Sequence, residues 1–219
     1  MKNISLAFIL SLIIVIPSAI AQTTYSPDLK GTLRGDHWDA EFISAQLTRK
    51  DSSDALMVTK TDGDQVIWLK DFRFENGTIE FDAKGKSGPP QSSFIGIAFR
   101  IVDKDTFDAV YFRPFNFRSP NPMNKSHSVQ YTSHPSWTWT RLRNEHPGEY
   151  ENAIDPAPDG DGWFHARIVV HRPDVRVYVN GAYDPSLRVK ELSGRRGGSI
   201  GIFCNGFGII ANLKIVLEH

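Results

Sequence analysis

Cysteine is nearly missing from this 219-residue chain, where Cys204 stands alone. No internal disulfide can form, so the fold must rest on a hydrophobic core large enough to hold without covalent staples. Net charge is missing too, with 25 basic side chains against 25 acidic ones. A chain without a field of one sign carries no electrostatic footprint for nucleic acid or for an anionic membrane. Beyond residue 21 no apolar run approaches the ~20 residues that a membrane span needs. No stretch shows a long, capped helical period, so helices should be few and short. Several catalytic signatures are wanting as well. The sequence holds no H-E-x-x-H pair, no second cysteine to join the scattered histidines at zinc, no G-x-S-x-G elbow, and no glycine-rich loop opening a helix.

What is present begins with an export signal. Lys2 supplies a positive start, residues 4–16 are almost wholly apolar, Pro17 ends the run, and Ala19 and Ala21 form an A-x-A site. Cleavage is expected between Ala21 and Gln22. Residues 1–21 are then a signal peptide, and residues 22–219 form one domain, periplasmic or secreted, with no membrane association after cleavage and monomeric.

Strand signals dominate that domain. Ile79, Phe81 and Ala83 alternate with Thr78, Glu80, Asp82 and Lys84, the period of a half-buried strand. Residues 164–171 repeat the pattern, and so do residues 174–180, where Val175, Val177 and Val179 face inward. Asn76-Gly77, Asn180-Gly181 and Asn205-Gly206 flank such runs and suit tight hairpin turns, the last joining residues 199–204 to 207–216. Many antiparallel strands between turn residues indicate an all-β sandwich or barrel. Ile79, Phe81, Ile168, Val170, Val177, Ile200 and Ile202 are expected in the core, together with Trp38, Trp68 and Trp163. One segment, residues 115–162, breaks the rhythm. It is rich in proline, carries His127, His134, His146, Trp137 and Trp139, and has one short strand-like run at 127–132. A connection this long in a compact domain is more often functional than idle.

The ordered series GTIEFDAK (77–84), FIGIAFR (94–100), GWFHARIVV (162–170) with VYVNG (177–181), and GSIGIF (198–203) resembles the strands of concanavalin A-like lectin/glucanase jelly rolls. Within that superfamily the chain is most similar to the 3-keto-disaccharide hydrolase domains, also termed laminarinase-like. The resemblance covers most of residues 36–216. It implies a two-sheet antiparallel jelly-roll sandwich with a glycan lying across the concave sheet. The same resemblance exposes departures. The E-x-D-x-x-E motif of laminarinase-type glucanases, which places two carboxyl groups on one face around the scissile bond, has no counterpart. Glu80 and Asp82 imitate its start, but Gly85 stands where the second glutamate belongs. The E-x-Q of the keto-disaccharide hydrolases falls on Ser128-Val-Gln130, where serine replaces the acid.

On the face expected to meet sugar, Gly96 and Ala98 alternate in phase with Arg100, so two small residues leave a trough ending in a guanidinium. Tyr111 and Arg113 share a face of the next strand, as do Ser128, Gln130 and Thr132. Such side chains give the donor and acceptor geometry that sugar hydroxyls require. Trp137 and Trp139, two apart, would project to one side of an extended segment and stack on a pyranose. The candidate binding residues are therefore Arg100, Tyr111, Arg113, Gln130, Trp137 and Trp139, with no catalytic residue assigned. A competing reading of Arg100 is a cross-strand pair with Asp82. No cofactor is expected, although Asp159-Gly-Asp161 and Asp62-Gly-Asp64 offer oxygen ligands for a structural calcium without completing a calcium loop. The expected partner is an oligo- or polysaccharide bound without catalysis. The alternatives are a glycoside-cleaving enzyme of the keto-disaccharide hydrolase type, drawing on Glu145, Glu149, Glu151 or Asp155, and a laminin-G-like protein-binding module. Folding the segment 116–162 over the sheet as a wall is expected in the first two cases.

Overall fold

The structure, a computed structural model, describes residues 22–40, 44–60, 63–89 and 92–218. The signal peptide expected at 1–21 lies outside the described residues. Among the described residues fifteen strands follow one another: β1 (Gln22–Tyr25), β2 (Trp38–Asp39), β3 (Ser44–Lys50), β4 (Ser53–Lys60), β5 (Gln65–Leu69), β6 (Gly77–Lys84), β7 (Ser93–Asp103) and β8 (Thr106–Phe112). They continue with β9 (Val129–Ser133), β10 (Glu151–Asn152), β11 (Trp163–His171), β12 (Asp174–Val179), β13 (Leu187–Lys190), β14 (Ser199–Gly206) and β15 (Gly208–Glu218). Among the described residues three short α-helices accompany them, α1 (Gly31–Arg34), α2 (Pro122–Lys125) and α3 (Trp139–Glu145), with one 3-10 turn at Pro114–Asn116.

Two antiparallel sheets result. An eight-stranded sheet runs β13-β12-β11-β6-β15-β4-β3, with β1 paired to β15 as well. A seven-stranded sheet runs β10-β9-β8-β7-β14-β5-β2. Their facing sides form the core, and the residues that alternation assigned to it are there: Ile79, Phe81, Ile168, Val170, Val177, Ile200 and Ile202 are fully buried. Each such side chain contributes roughly 1.5–3 kcal/mol by leaving water. Phe81, Phe112, Phe164 and Phe117 meet edge to face across the layers, with ring centroids 5.0 to 6.2 Å apart. Alternation is clean in β6, β11 and β12 because only one face of their sheet meets the core.

The two outer Asn-Gly pairs do not make the hairpins their sequence suggests. Asn76-Gly77 and Asn205-Gly206 carry the chain from one sheet to the other, since β5 and β14 belong to the seven-stranded sheet and β6 and β15 to the eight-stranded one. Gly77 has φ +149° because its backbone passes against the Val216 carbonyl. Asn180-Gly181 does turn with two positive φ angles, but into a longer loop before β13. Tight connections instead join β3 to β4 at Asp51, β7 to β8 at Lys104, and β11 to β12 at Pro173.

The tryptophans divide. Trp38 is buried, its indole N–H donating to the Asp28 carbonyl at 3.0 Å. Trp163 and Trp68 depart from the expected core positions. Trp163 is half-buried on the outward side of β11, with the Lys50 ammonium 5.7 Å from its ring. Trp68 is half-buried on the outward side of β5, where it pairs with Gly201.

Candidate functional site

The seven-stranded sheet turns one face to the core and leaves the other open. On the open face the register aligns Glu151, Gln130, Tyr111, Gly96 and Phe203 in one row across β10, β9, β8, β7 and β14. The trough expected at Gly96 and Ala98 is not empty. Tyr111 stacks on Phe203 at 4.7 Å, and these two join Ala98, Ile101, Phe107, Ala109 and Val66 in a second apolar cluster that paves the sheet. Glycine at 96 is required by the close approach of the β8 backbone, because a Cβ there would collide with the Val110 carbonyl oxygen and stand 2.5 Å from Tyr111 Cα.

Arg100 does not join this face. Its φ of +51° and the register shift between Phe99 and Asp103 form a bulge in β7, so Ile101 takes the outward position and Arg100 turns in between the sheets. There it is fully buried, bonded to the Glu191 carboxylate and to the Glu75 carbonyl through Nε at 3.2 Å and Nη2 at 3.0 Å. Asp108 lies 3.7 Å from Arg100 and accepts from Arg195 Nη2 at 2.7 Å, Ser193 Oγ at 2.7 Å and Tyr131 OH at 3.2 Å. Arg172 holds the other oxygen of Glu191 at 2.7 Å. This closed network holds the rim of the sandwich and offers a ligand no opening. The pairing of Arg100 with Asp82 is likewise overturned: Asp82 belongs to the eight-stranded sheet and bonds to His165 at 2.9 Å and Asn212 at 2.7 Å.

Tyr111, Arg113 and Gln130 do come together. Arg113 Nη2 donates to the Tyr111 hydroxyl at 3.1 Å and to the Gln130 carbonyl oxygen, which also accepts from the Tyr111 hydroxyl at 3.2 Å. Arg113 Nη1 donates to the His127 carbonyl at 3.0 Å. Burial raises the Tyr111 phenol well above its ordinary value and lowers the Arg113 guanidinium, so the phenol stays protonated and able to donate. The Gln130 Nε2 is buried and meets no acceptor among the described residues. Ser128, where the related pattern has an acid, is buried and donates to the Lys125 carbonyl at 2.7 Å.

The segment 116–162 builds one wall over these groups. Thr138 caps α3 by accepting from the Arg141 N–H, so the chain is helical from Trp139 onward and the extended spacing expected for Trp137 and Trp139 does not hold. Trp137 bridges to Ser133 before the helix and packs under Arg141, 3.9 Å from its ring, away from the pocket. Trp139 and Arg143 stand four apart on one helix face, with the guanidinium 5.0 Å from the indole centroid. Arg143 then grips Glu151 in a two-point ion pair, Nε to Oε1 at 2.9 Å and Nη2 to Oε2 at 2.7 Å. Arg113 lies 3.8 Å and His127 Nε2 3.3 Å from the same carboxylate. Desolvation lowers the His127 pKa, against the pull of Glu151, which favours a neutral imidazole at pH 7.

Between wall and sheet lies a cavity of about 410 Å³, lined by Tyr111, Arg113, His127, Trp139 and Arg143 on one side and by Phe94, Asp64 and Asn205 on the other. Trp139 keeps 43% of its surface in solvent. Arg143 and His127 escaped the sequence reading, although a signal for Arg143 was there. Thr138 followed by WTRLRNE is a capped helical turn that sets Trp139 and Arg143 side by side.

Among the described residues the carboxylates of the oxygen-rich turns are engaged in hydrogen bonds of their own. Asp161 accepts from the backbone and hydroxyl of Ser87, Asp159 accepts from the Asp161 N–H at 3.0 Å, and Asp64 accepts from Asn205 at 2.8 Å. Asp62 lies outside the described residues. No group of three or more His, Cys, Asp or Glu side chains gathers in metal-binding geometry among the described residues.

No family model and no curated protein sequence matches the chain. Solved structures do. The carbohydrate-binding module CBM66 from Bacillus subtilis superposes on 82% of this chain and 95% of its own, with a TM-score of 0.56 at 13% identity. The fold is a concanavalin A-like sandwich. A Bacillus subtilis protein of unknown function with a galectin-like fold aligns over 84% of this chain and 91% of its own, TM-score 0.55, 14% identity. The exoplasmic/lumenal domain of VIP36, in a form bound to Ca2+ and Man3GlcNAc, aligns over 84% and 85%, TM-score 0.52, 10% identity.

Proposed function

We propose that this protein binds a glycan in the cavity between α3 and the open face of the seven-stranded sheet. The observation that carries the reading is convergence. A half-exposed indole, two guanidinium groups, an imidazole and three asparagines meet in one cavity of sugar size on a rigid sheet. An aromatic face takes the apolar side of a pyranose, and fork-shaped donors take its hydroxyls. The fold shared with a carbohydrate-binding module and with a sugar-bound lumenal domain supports this use of it.

One observation favours the enzymatic alternative. Glu151 stands beside Gln130 in register, so a neighbouring strand supplies the carboxyl group that Ser128 lacks. Both of its oxygens are nevertheless held by Arg143, which suits an anchor for the binding groups better than a proton donor to a leaving group. We therefore read Glu151 as the residue that positions Arg143 and Arg113. Export to the periplasm or medium is part of the same proposal. It is supported by the signal pattern at 1–21.

The test is calorimetric titration with a panel of neutral and acidic oligosaccharides, together with assay of released sugar. Saturable binding that is lost in Arg143→Ala, without sugar release, is the expected result. Release of sugar that disappears in Glu151→Gln would replace the binding reading with the enzymatic one.

A further inference from the structure

A second cavity, of about 380 Å³, opens on the same side of the same sheet, lined by Asp39, Asp64, Val66, Trp68, Val102 and Asp105 among others. Asp64 lines both cavities. The second one has an aromatic and aliphatic floor, made by the half-buried Trp68 beside Val66, with Val102 standing 65% exposed at its edge. Trp68 pairs with Gly201 on one side and Asp39 on the other, so no bulky neighbour in register covers its ring on the β14 side. The rim is acidic. Carboxylates accept but do not donate, so they suit hydroxyl donors and repel carboxylates or sulfates.

From these observations we propose that Trp68 is the platform of a second sugar subsite, and that the ligand is an oligosaccharide whose unit over Trp68 is uncharged. The inference rests on the sugar-binding reading of the first cavity. Asp64 lies just before β5 and Trp68 is the fourth residue of that strand, so the two are at most about 13 Å apart at roughly 3.3 Å per residue. A single sugar ring cannot occupy both ends, whereas a chain anchored under Arg143 and Trp139 and running past Asp64 reaches Trp68. The two cavities then divide the work. The first fixes the ligand with fork-shaped donors, and the second adds affinity with chain length.

The experiment titrates the folded protein with neutral cello-, laminari- and malto-oligosaccharides and with levan fragments, from monosaccharide to hexasaccharide, and with an oligogalacturonide series of the same lengths. Affinity should rise with length for a neutral series. Trp68→Ala should weaken the longest member by about fivefold while leaving the shortest unchanged, an effect in the range of one lost aromatic contact. Because Trp68 also packs on the sheet, Val102→Arg serves as the second variant. It fills the exposed edge of the cavity without touching the core and should give the same selective loss. Arg143→Ala should instead weaken every length. If wild-type protein binds a neutral series with no dependence on length, or if both variants bind the hexasaccharide as wild type does, the second subsite is refuted while the first cavity stands. If oligogalacturonides gain from length as much as neutral chains, the charge assignment fails. If the wild-type protein binds none of these sugars, the reading of the first cavity falls and this inference falls with it.

Discussion

Two of the arginine–carboxylate clusters among the described residues have buried carboxylates, are built from the same chemistry and do different things. At the rim between the sheets, Arg100, Arg172 and Arg195 surround Asp108 and Glu191, whose side chains keep 0% and 4% of their surface in solvent. On the open face, Arg113, Arg143 and His127 surround Glu151, and there the arginines line a cavity. A closed set of ion pairs locks elements together, because losing one partner strands a charge where water cannot reach it. An open set holds its donors in place for something else. Residue type alone would have ranked Arg100 and Arg113 as equivalent candidates; their surroundings separate them, since Arg100 is fully buried between the sheets and Arg113 lines a cavity.

The strongest way to break this comparison is Asp108→Ala. It leaves Arg195, Ser193 and the Tyr131 hydroxyl without their common acceptor. A loss of about 3–5 kcal/mol is expected, which for a domain of this size lowers Tm by about 10 °C or more in a calorimetric scan. Glycan affinity measured well below the new Tm should stay at the wild-type level. An unchanged Tm would mean that the rim network is not structural.

Arg143→Ala should show the opposite pattern. Its guanidinium is partly exposed, and its removal leaves the buried Glu151 carboxylate to Arg113 and His127, so Tm should fall, but by less than in Asp108→Ala. Glycan affinity should fall about tenfold or more, the scale of a charge-assisted hydrogen bond. Arg141→Ala, which removes an exposed pair with Glu145 on the same helix, is the control and should leave binding intact.

The paired tryptophans sharpen the comparison further. Trp139→Ala should weaken binding by about 0.5–1.5 kcal/mol, and Trp137→Ala should not, because only the first lines the cavity. Equal losses in both would restore the extended geometry and contradict the helix that begins at Trp139.

Cys204 reports on the core directly. It is fully buried, and desolvation, with Asp64 adding to it, pushes its thiol up to about 12. In the folded protein it should be inert to a thiol reagent at pH 8, reacting only through opening of the sandwich. Asp108→Ala should speed its labelling more than Arg143→Ala does.

The smallest effect concerns acid. Burial raises the Asp82 pKa, but hydrogen bonds from Asn212 and His165 and the charge of Lys50 outweigh it, so the group titrates below its ordinary value of 3.8. Its contribution to stability is fully present above that ordinary value and is lost as the pH falls through the lowered one. Asp82→Asn should therefore lower stability slightly and by a constant amount at pH 7 and down to about pH 4, and the difference from wild type should shrink as the pH falls through the lowered value. Asp82 lies on the outward side of the other sheet, so glycan binding should not follow this titration.

What the sequence determined by itself was the sandwich and much of its core. Alternation at 77–84, 164–171 and 174–180 is a local property of each strand, and burial on one side forces it, so it can be read without knowing which strand lies next to which. Tyr111, Arg113 and Gln130 were legible for the same reason, since neighbouring strands bring residues of one phase to one face. The tertiary structure alone decided the rest. A bulge at Arg100 costs nothing in local pattern yet reverses the side on which every later residue of β7 falls, because a period of two has no memory of an inserted step. The pairing of β10 with β9, which sets Glu151 beside Gln130, joins residues 21 apart through a segment with little period of its own. Trp68 sits on the open face rather than in the core because the seven-stranded sheet is apolar on both sides, paved outward by Tyr111, Phe203 and Val66. Where both faces of a strand are apolar, sequence cannot say which one meets water, and only the packing of the second sheet settles it.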